Sequence, residues 1–256
     1  MADIDGPHGA TQRAAASGGT ESAEALLIGE ARKAFFVMFG FLCLIWAIQL
    51  GNWSDSGLLV QRFGILAHQP DRLPEVFTAP FLHVSWQHLE GNSGPLFVFG
   101  FLAAYRGVKK FLALTLLIAL TSGLAVWVFE RGDVVTVGAS GLIFGYFGYV
   151  VLRGFFDRHL IDSLIGLVMG ASFAYLVTEA VPGTPGVSWL AHLGGLTGGL
   201  AGAWLFRERG TRTPREPRAP KGPREGRTKN AALPTQSTPA AGSRADLLKE
   251  LDDLGL

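Results

Sequence analysis

The sequence predicts an all-α, polytopic membrane protein built as a bundle of six transmembrane helices, and three observations lead there. The 256 residues are 48% hydrophobic, include 18 phenylalanines and have a mean hydropathy of +0.30, more apolar than an ordinary soluble domain. Six apolar stretches recur, most of them close to the roughly 20 residues a helix needs to cross a hydrocarbon core. The connections between them alternate between basic and base-poor, as loops on opposite membrane faces do.

Residues 1–33 are small, polar and mixed in charge, which predicts a flexible N-terminal segment on the cytoplasmic side. No secretory signal peptide is expected, because the first apolar run begins only after this polar stretch. That run, Ala34–Leu50, is the first predicted span. Arg32 and Lys33 directly precede it, and it holds Cys43, the single cysteine, so no intrachain disulfide can form. The connection from Gly51 to about Gln87 is long and half apolar, which suggests that part of it rests in the membrane interface. The remaining predicted spans are His88–Tyr105, Phe111–Phe129, Val137–Leu152, Leu160–Val177 and Val187–Phe206, the second and fourth being the short or weak ones. Arg106, Lys109 and Lys110 follow span two, and Arg153 and Arg158 follow span four, whereas "TEAVPGTPG" before span six has no base. Both termini and the second and fourth connections are therefore expected in the cytoplasm. The membrane domain runs from 34 to 207. Residues 208–242 read as a disordered basic, Pro-rich linker, with nine Lys/Arg against three Glu from Arg207 to Asn230. Residues 243–256 read as a short amphipathic helix, with Leu247, Leu248, Leu251 and Leu254 at helical spacing. A frayed end is the plainer reading of it, and a docking helix for a cytoplasmic partner the sharper one.

Polar residues inside the spans carry the functional signal, because they are costly there. "HVSWQHLEGNSGPLFVFG" places His83, His88, Glu90, Asn92 and Ser93 at the start of span two, with His88 and Asn92 four apart on one helical face. Span four opens at Ser140 in "GASG", and span six carries His192 five residues from its start. Spans two, four and six run in the same direction, so His88, Asn92, Ser140 and His192 fall at one depth. Three helix N-termini converge there with unpaired backbone N–H groups. Gly141 and Gly145 on span four, and Gly195 and Gly199 on span six, provide small-residue seams, and His192, Gly195 and Gly199 share a face. A serine, a histidine base and amide donors at one level are the ingredients of acyl transfer. Each piece has a blander reading: packing for the Gly/Ser run, interfacial placement for the histidines, and solvation for Glu90 and Asp162. A metal site of His83, His88 and His192 lacks any supporting ligand motif.

Taken together, "HVSWQHLEGN", "GASG" and "AHLGGLTGG", in that order across six spans, resemble the rhomboid intramembrane serine proteases, over roughly Ala34 to Arg207. The resemblance implies a Ser140–His192 dyad without a third acidic member, and an oxyanion hole from Asn92, His88 and the Ser140 backbone N–H. His83, Gly138, Gly141, Phe144, Gly195 and Gly199 would be supporting residues. It implies transmembrane protein substrates, a lipid bilayer as surroundings, and neither metal, cofactor nor nucleic acid. Two departures stand out. Phe144 occupies a position where the family commonly has tyrosine, and Pro74-Glu75 replaces a Trp-Arg pair in the first loop, leaving that loop's anchorage open. The alternatives are an inactive rhomboid-like protein that binds membrane segments without cutting them, and a small transporter. Against the transporter, no inverted repeat is visible and the polar residues cluster near one surface.

Overall fold

The computed structural model describes residues 7–183 and 186–207. It divides the chain into two units, Met1–Gly210 and Thr211–Leu256; the expected basic linker, 208–242, and the expected helix, 243–256, lie outside the described residues.

The first unit is a helical bundle. Helix α1 spans Pro7–Ser54, beginning well before the apolar run, through an Ala-, Glu- and Leu-rich stretch of good helix formers. The first connection folds into α2 (Leu58–Phe63), a two-residue strand β1 (Ile65–Leu66) and two 3₁₀ segments, Pro70–Val76 and Ala79–Phe81. Then follow α3 (Trp86–Ala104), α4 (Val108–Phe129), strand β2 (Val135–Thr136), α5 (Ser140–Asp157), α6 (Leu160–Ser172), α7 (Leu176–Glu179) and α8 (Trp189–Leu205). Among the described residues two segments are long and apolar enough to cross a membrane by length and composition alone, Glu24–Ser54 and Val108–Phe129.

Span five departs from expectation. The helix stops at Ser172, and the chain turns through Phe173–Tyr175 before α7. Phe173 leaves the helical path to set its ring edge-on against Phe99 of α3, with centroids 4.8 Å apart. Gly170 just before it weakens the helix's hold. Asp162 likewise is not simply solvated: it pairs with Arg106 and lies 3.4 Å from His159 Nδ1.

Helix α8 is the centre of the bundle, packed most extensively against α5 and α4. Two glycine faces make this possible. A Cβ at Gly195 or Gly199 would run into the backbone carbonyls of Gly141 and Gly145 on α5, and one at Gly194 would lie 2.7 Å from the Thr121 carbonyl oxygen on α4. Backbones this close exclude any side chain, and van der Waals contact between them is what drives helix association in lipid. The buried core beside this seam includes Phe99, Phe111, Leu114, Ile118, Leu142 and Tyr146. The Tyr146 hydroxyl meets Thr115 Oγ1 at 2.6 Å.

The first connection is tied down by Arg72. Its guanidinium donates to the Gln61, Arg62 and Gly64 carbonyls at 3.0, 3.0 and 2.9 Å and to Glu75 at 2.9 Å. The Thr78 hydroxyl adds a bond to the Phe63 carbonyl at 2.7 Å. A cation and a hydroxyl thereby satisfy carbonyls that α2 leaves unpaired at its C-terminal end. Arg72, two residues before Pro74, thus holds the loop to the protein itself. His68 and Trp127 clasp this connection to the end of α4: the His68 N–H donates to the Trp127 carbonyl at 3.1 Å, and the Trp127 indole N–H to the Gln69 carbonyl at 3.0 Å.

Candidate active site

Each candidate side chain is placed by the start of a helix. Ser85 caps α3, accepting the His88 N–H at 3.1 Å, and so fixes the turn that carries His88 and Asn92. Ser188 does the same for α8, accepting the Ala191 N–H at 3.3 Å one residue before His192. Helix α5 begins at Ser140 itself, after Gly138 at φ +126° and Ala139. As the first helical residue, Ser140 keeps its backbone N–H outside the intrahelical pattern.

Strand β2, which leads into Gly138 and Ser140, is paired antiparallel with β1, Ile65 opposite Thr136 and Leu66 opposite Val135. The Gly138 N–H donates to the Ala79 carbonyl at 3.0 Å. The approach to Ser140 is therefore held by the first connection on two sides.

His88, Asn92, Gly138, Ser140 and His192 all line one cavity of about 570 Å³. His192 is buried and lies flat on Phe144 of α5, ring centroids 4.0 Å apart and planes 10° from parallel. The ring's plane is thus set by a neighbour one helical turn after Ser140. His88 packs against Gly138, where a Cβ would lie 2.7 Å from its Cε1. Positive φ and this contact each demand glycine there. Asn92 is buried and lines the cavity, and among the described residues its Nδ2 has no hydrogen-bond partner.

His83 stands apart from the others. It does not line the cavity but lies fully buried behind His88, edge-on at 5.0 Å between ring centroids, and its Nε2 accepts the Ala139 N–H at 3.5 Å. Asn52 of α1 braces the same segment, donating to the His83 carbonyl at 3.3 Å while its Oδ1 accepts the Val60 N–H at 3.2 Å. Burial, with a contribution from nearby His88, lowers the His83 pKa to about 3 and keeps it neutral, as an acceptor for Ala139 requires. Gly141, Gly195 and Gly199 sit in the α4–α5–α8 seam beneath the cavity.

Sequence reasoning passed over several contributors. Ser122 of α4 is buried against Gly141 and donates to the Ala191 carbonyl at 2.8 Å, fixing the turn before His192. Glu130 accepts the Ser188 hydroxyl at 3.1 Å and lines the cavity. Asn52 and Arg72 act on the loops. All but Arg72 work through partners far away in sequence. Arg72 alone had a local signal, a base next to an acid in "DRLPE" after a short helix.

The glycine-packed helical bundle brings a serine, a histidine and an amide to one cavity, and among the described residues two of its segments are long and apolar enough to cross a membrane. The chain belongs to the rhomboid family: residues 70–209 match the family's Rhomboid domain. It is 35% identical over 173 residues to the uncharacterized protein Rv1337 of Mycobacterium tuberculosis, covering 64% of this chain and 72% of that protein. It is 31% identical over 125 residues to YdcA of Bacillus subtilis, provisionally assigned as a rhomboid protease, covering 48% and 62%. The third relative is rhomboid-like protein 11, chloroplastic, of Arabidopsis thaliana, 32% identical over 144 residues and 50% of each chain.

Proposed function

We infer that this chain is an intramembrane serine endopeptidase that cleaves transmembrane or juxtamembrane segments of other membrane proteins. The observation that carries this reading is the shared cavity of Ser140 and His192, with His88 and the unpartnered amide of Asn92 beside them. His192 takes the proton from Ser140 Oγ as that oxygen attacks the carbonyl carbon of the substrate. The tetrahedral oxyanion is met by Asn92 Nδ2, His88 and the Ser140 N–H. His192 then passes its proton to the departing amine, and water hydrolyses the acyl-enzyme by the same steps in reverse order of partners. His83 and Ser122 act by position, the one on Ala139 and the other on Ala191.

In this reading the six spans are α1, α3, α4, α5, the α6–α7 segment and α8, with both termini cytoplasmic and the cavity opening toward the outer face of the cell membrane. Intact Ser140 and His192 favour a working enzyme over an inactive binding relative. The test is cleavage of a single-span substrate by purified protein, compared with its Ser140→Ala and His192→Ala forms. Each substitution should abolish turnover, and the double substitution should be no worse than either, since the pair acts as a unit. Cleavage retained by His192→Ala would sink the dyad.

A further inference from the structure

Among the described residues Glu130 is the only carboxylate lining the cavity, and the mechanism gives it nothing to do. It follows the last residue of α4. Its Oε2 accepts the Ser188 hydroxyl at 3.1 Å and its Oε1 the Arg131 backbone N–H at 3.2 Å. A carboxylate offers about four acceptor positions, so two neutral donors leave half of them open and the charge uncompensated. Among the described residues no cation pairs with it. The Arg131 guanidinium is turned to Asp133 at 3.5 Å, and the only basic side chains in the lining, among the described residues, are His88 and His192. Holding Ser188 does not need this charge, since a glutamine oxygen would accept the same hydroxyl. Val126, Val134, Val137 and Val187 line the same cavity. Low-dielectric walls around one charge strengthen its field inside the cleft.

The position relative to the chemistry follows from α8. Ser188 precedes His192 by one helical turn, about 6 Å along the axis. An extended substrate advances about 3.3 Å per residue, so Glu130 would meet a side chain roughly two or three residues from the bond at Ser140. We propose that Glu130 is a specificity determinant that selects membrane segments carrying a lysine or arginine about two to three residues from the cleaved bond. The reference to a cleaved bond rests on the peptidase reading; the selection of a cation does not.

The full-length protein, purified in detergent, tests this in two arms. In the first, a Ser140→Ala background binds fluorescent single-span segments in which Lys, Gln or Glu is scanned through the outer third. At the best position the Lys segment should bind at least about tenfold more tightly than its Glu counterpart. Adding Glu130→Gln should bring that ratio below about twofold, and Glu130→Lys should invert it. Each ratio is taken within one protein, so a merely weakened Ser188 contact would move both segments together and leave the ratio standing. A ratio near one at every position, or one that survives Glu130→Gln, would overturn the proposal. Should Glu130→Lys fail to fold, the glutamine variant decides. In the second arm the Ser140-containing protein is assayed for cleavage of the same segments. Absent cleavage with an intact Glu130-dependent ratio would overturn the peptidase reading and leave the selectivity in place.

Discussion

The flat stack of His192 on Phe144 is a positioning device with a separable chemistry. At 4.0 Å and 10° the ring face, not a hydroxyl, fixes the imidazole plane, so the tyrosine common in the family is not required for it. Phe144→Tyr should retain cleavage within a few-fold. Phe144→Leu keeps apolar volume but removes a stack worth about 0.5–1.5 kcal/mol, and should lower kcat by up to about tenfold with KM little changed. Asn92→Ala should remove a single oxyanion donor and lose at most about 3–4 kcal/mol of transition-state stabilisation, read as kcat/KM. His83 gives a pH signature. Its folded pKa of about 3 is depressed below the ordinary 6.5, so the unfolded chain binds a proton that the folded chain refuses. Its effect is absent above about pH 6.5, and stability is lost as pH falls from there toward about 3, by at most about 1.4 kcal/mol per unit. Thermal unfolding in detergent at pH 7 and pH 5 should show a fall in Tm that is smaller in His83→Gln. An equal fall in both proteins would show that His83 does not couple protonation to folding.

At the scale of elements, α8 explains why the site holds its shape. Gly199 rests against the Gly145 carbonyl, a backbone atom that cannot swing aside as a long side chain can. Gly199→Ala should therefore force α5 and α8 apart, costing about 1–3 kcal/mol and lowering both Tm and activity. Gly40→Ala on α1, where the added Cβ meets nothing within 4 Å, should leave Tm unchanged or slightly higher. The α5–α8 seam was legible in the sequence because small residues at i and i+4 on two helices announce close packing, and His192 falls on the same face. The second glycine face, toward α4, was not assigned, because its partner surface holds Thr121, Ser122 and Ala125, none of which forms a repeating motif. The break in the fifth span escaped for a related reason. Hydropathy continues smoothly through Phe173, and only its edge-on contact with Phe99, distant in sequence, draws the chain from the helix. Glu130 and Ser122 were invisible on the same ground: their partners Ser188 and Ala191 lie 58 and 69 residues away.

Over the whole molecule, the N-terminal turns of α3, α5 and α8 share one end of the bundle with the C-terminal end of α4, and the first connection is bonded across them through β1, His68 and Ala79. That end is rich in polar contacts between loops. Farther along α5, at its C-terminal end, Arg153 donates to Asp157 at 2.8 Å and to the Tyr149 hydroxyl at 3.0 Å, both Arg153 and Asp157 almost fully buried. Arg106 of the connection after α3 pairs with Asp162 on α6. The first pair lies within α5 and the second ties the connection after α3 to α6, both at the end away from the cavity; in the buried Arg153–Asp157 pair a removed partner would leave a buried charge and cost more than the pair contributes. Helix α8 leaves the bundle at that same end: its 17 residues carry the chain about 26 Å from the Ser188 cap to Leu205. Under the proposed topology, the basic segment that follows is on the cytoplasmic side and could touch Ser140 only by crossing the hydrocarbon. Its nine cations are suited instead to an anionic leaflet surface, at about 1 kcal/mol each close to the lipid. Truncation after Arg212 should therefore leave cleavage in detergent within a few-fold of the full chain, while binding to vesicles containing anionic lipid, measured by sedimentation, should weaken markedly and become less sensitive to salt. Complete loss of cleavage by a truncated protein that still unfolds at its normal temperature would give the tail a part in the reaction itself.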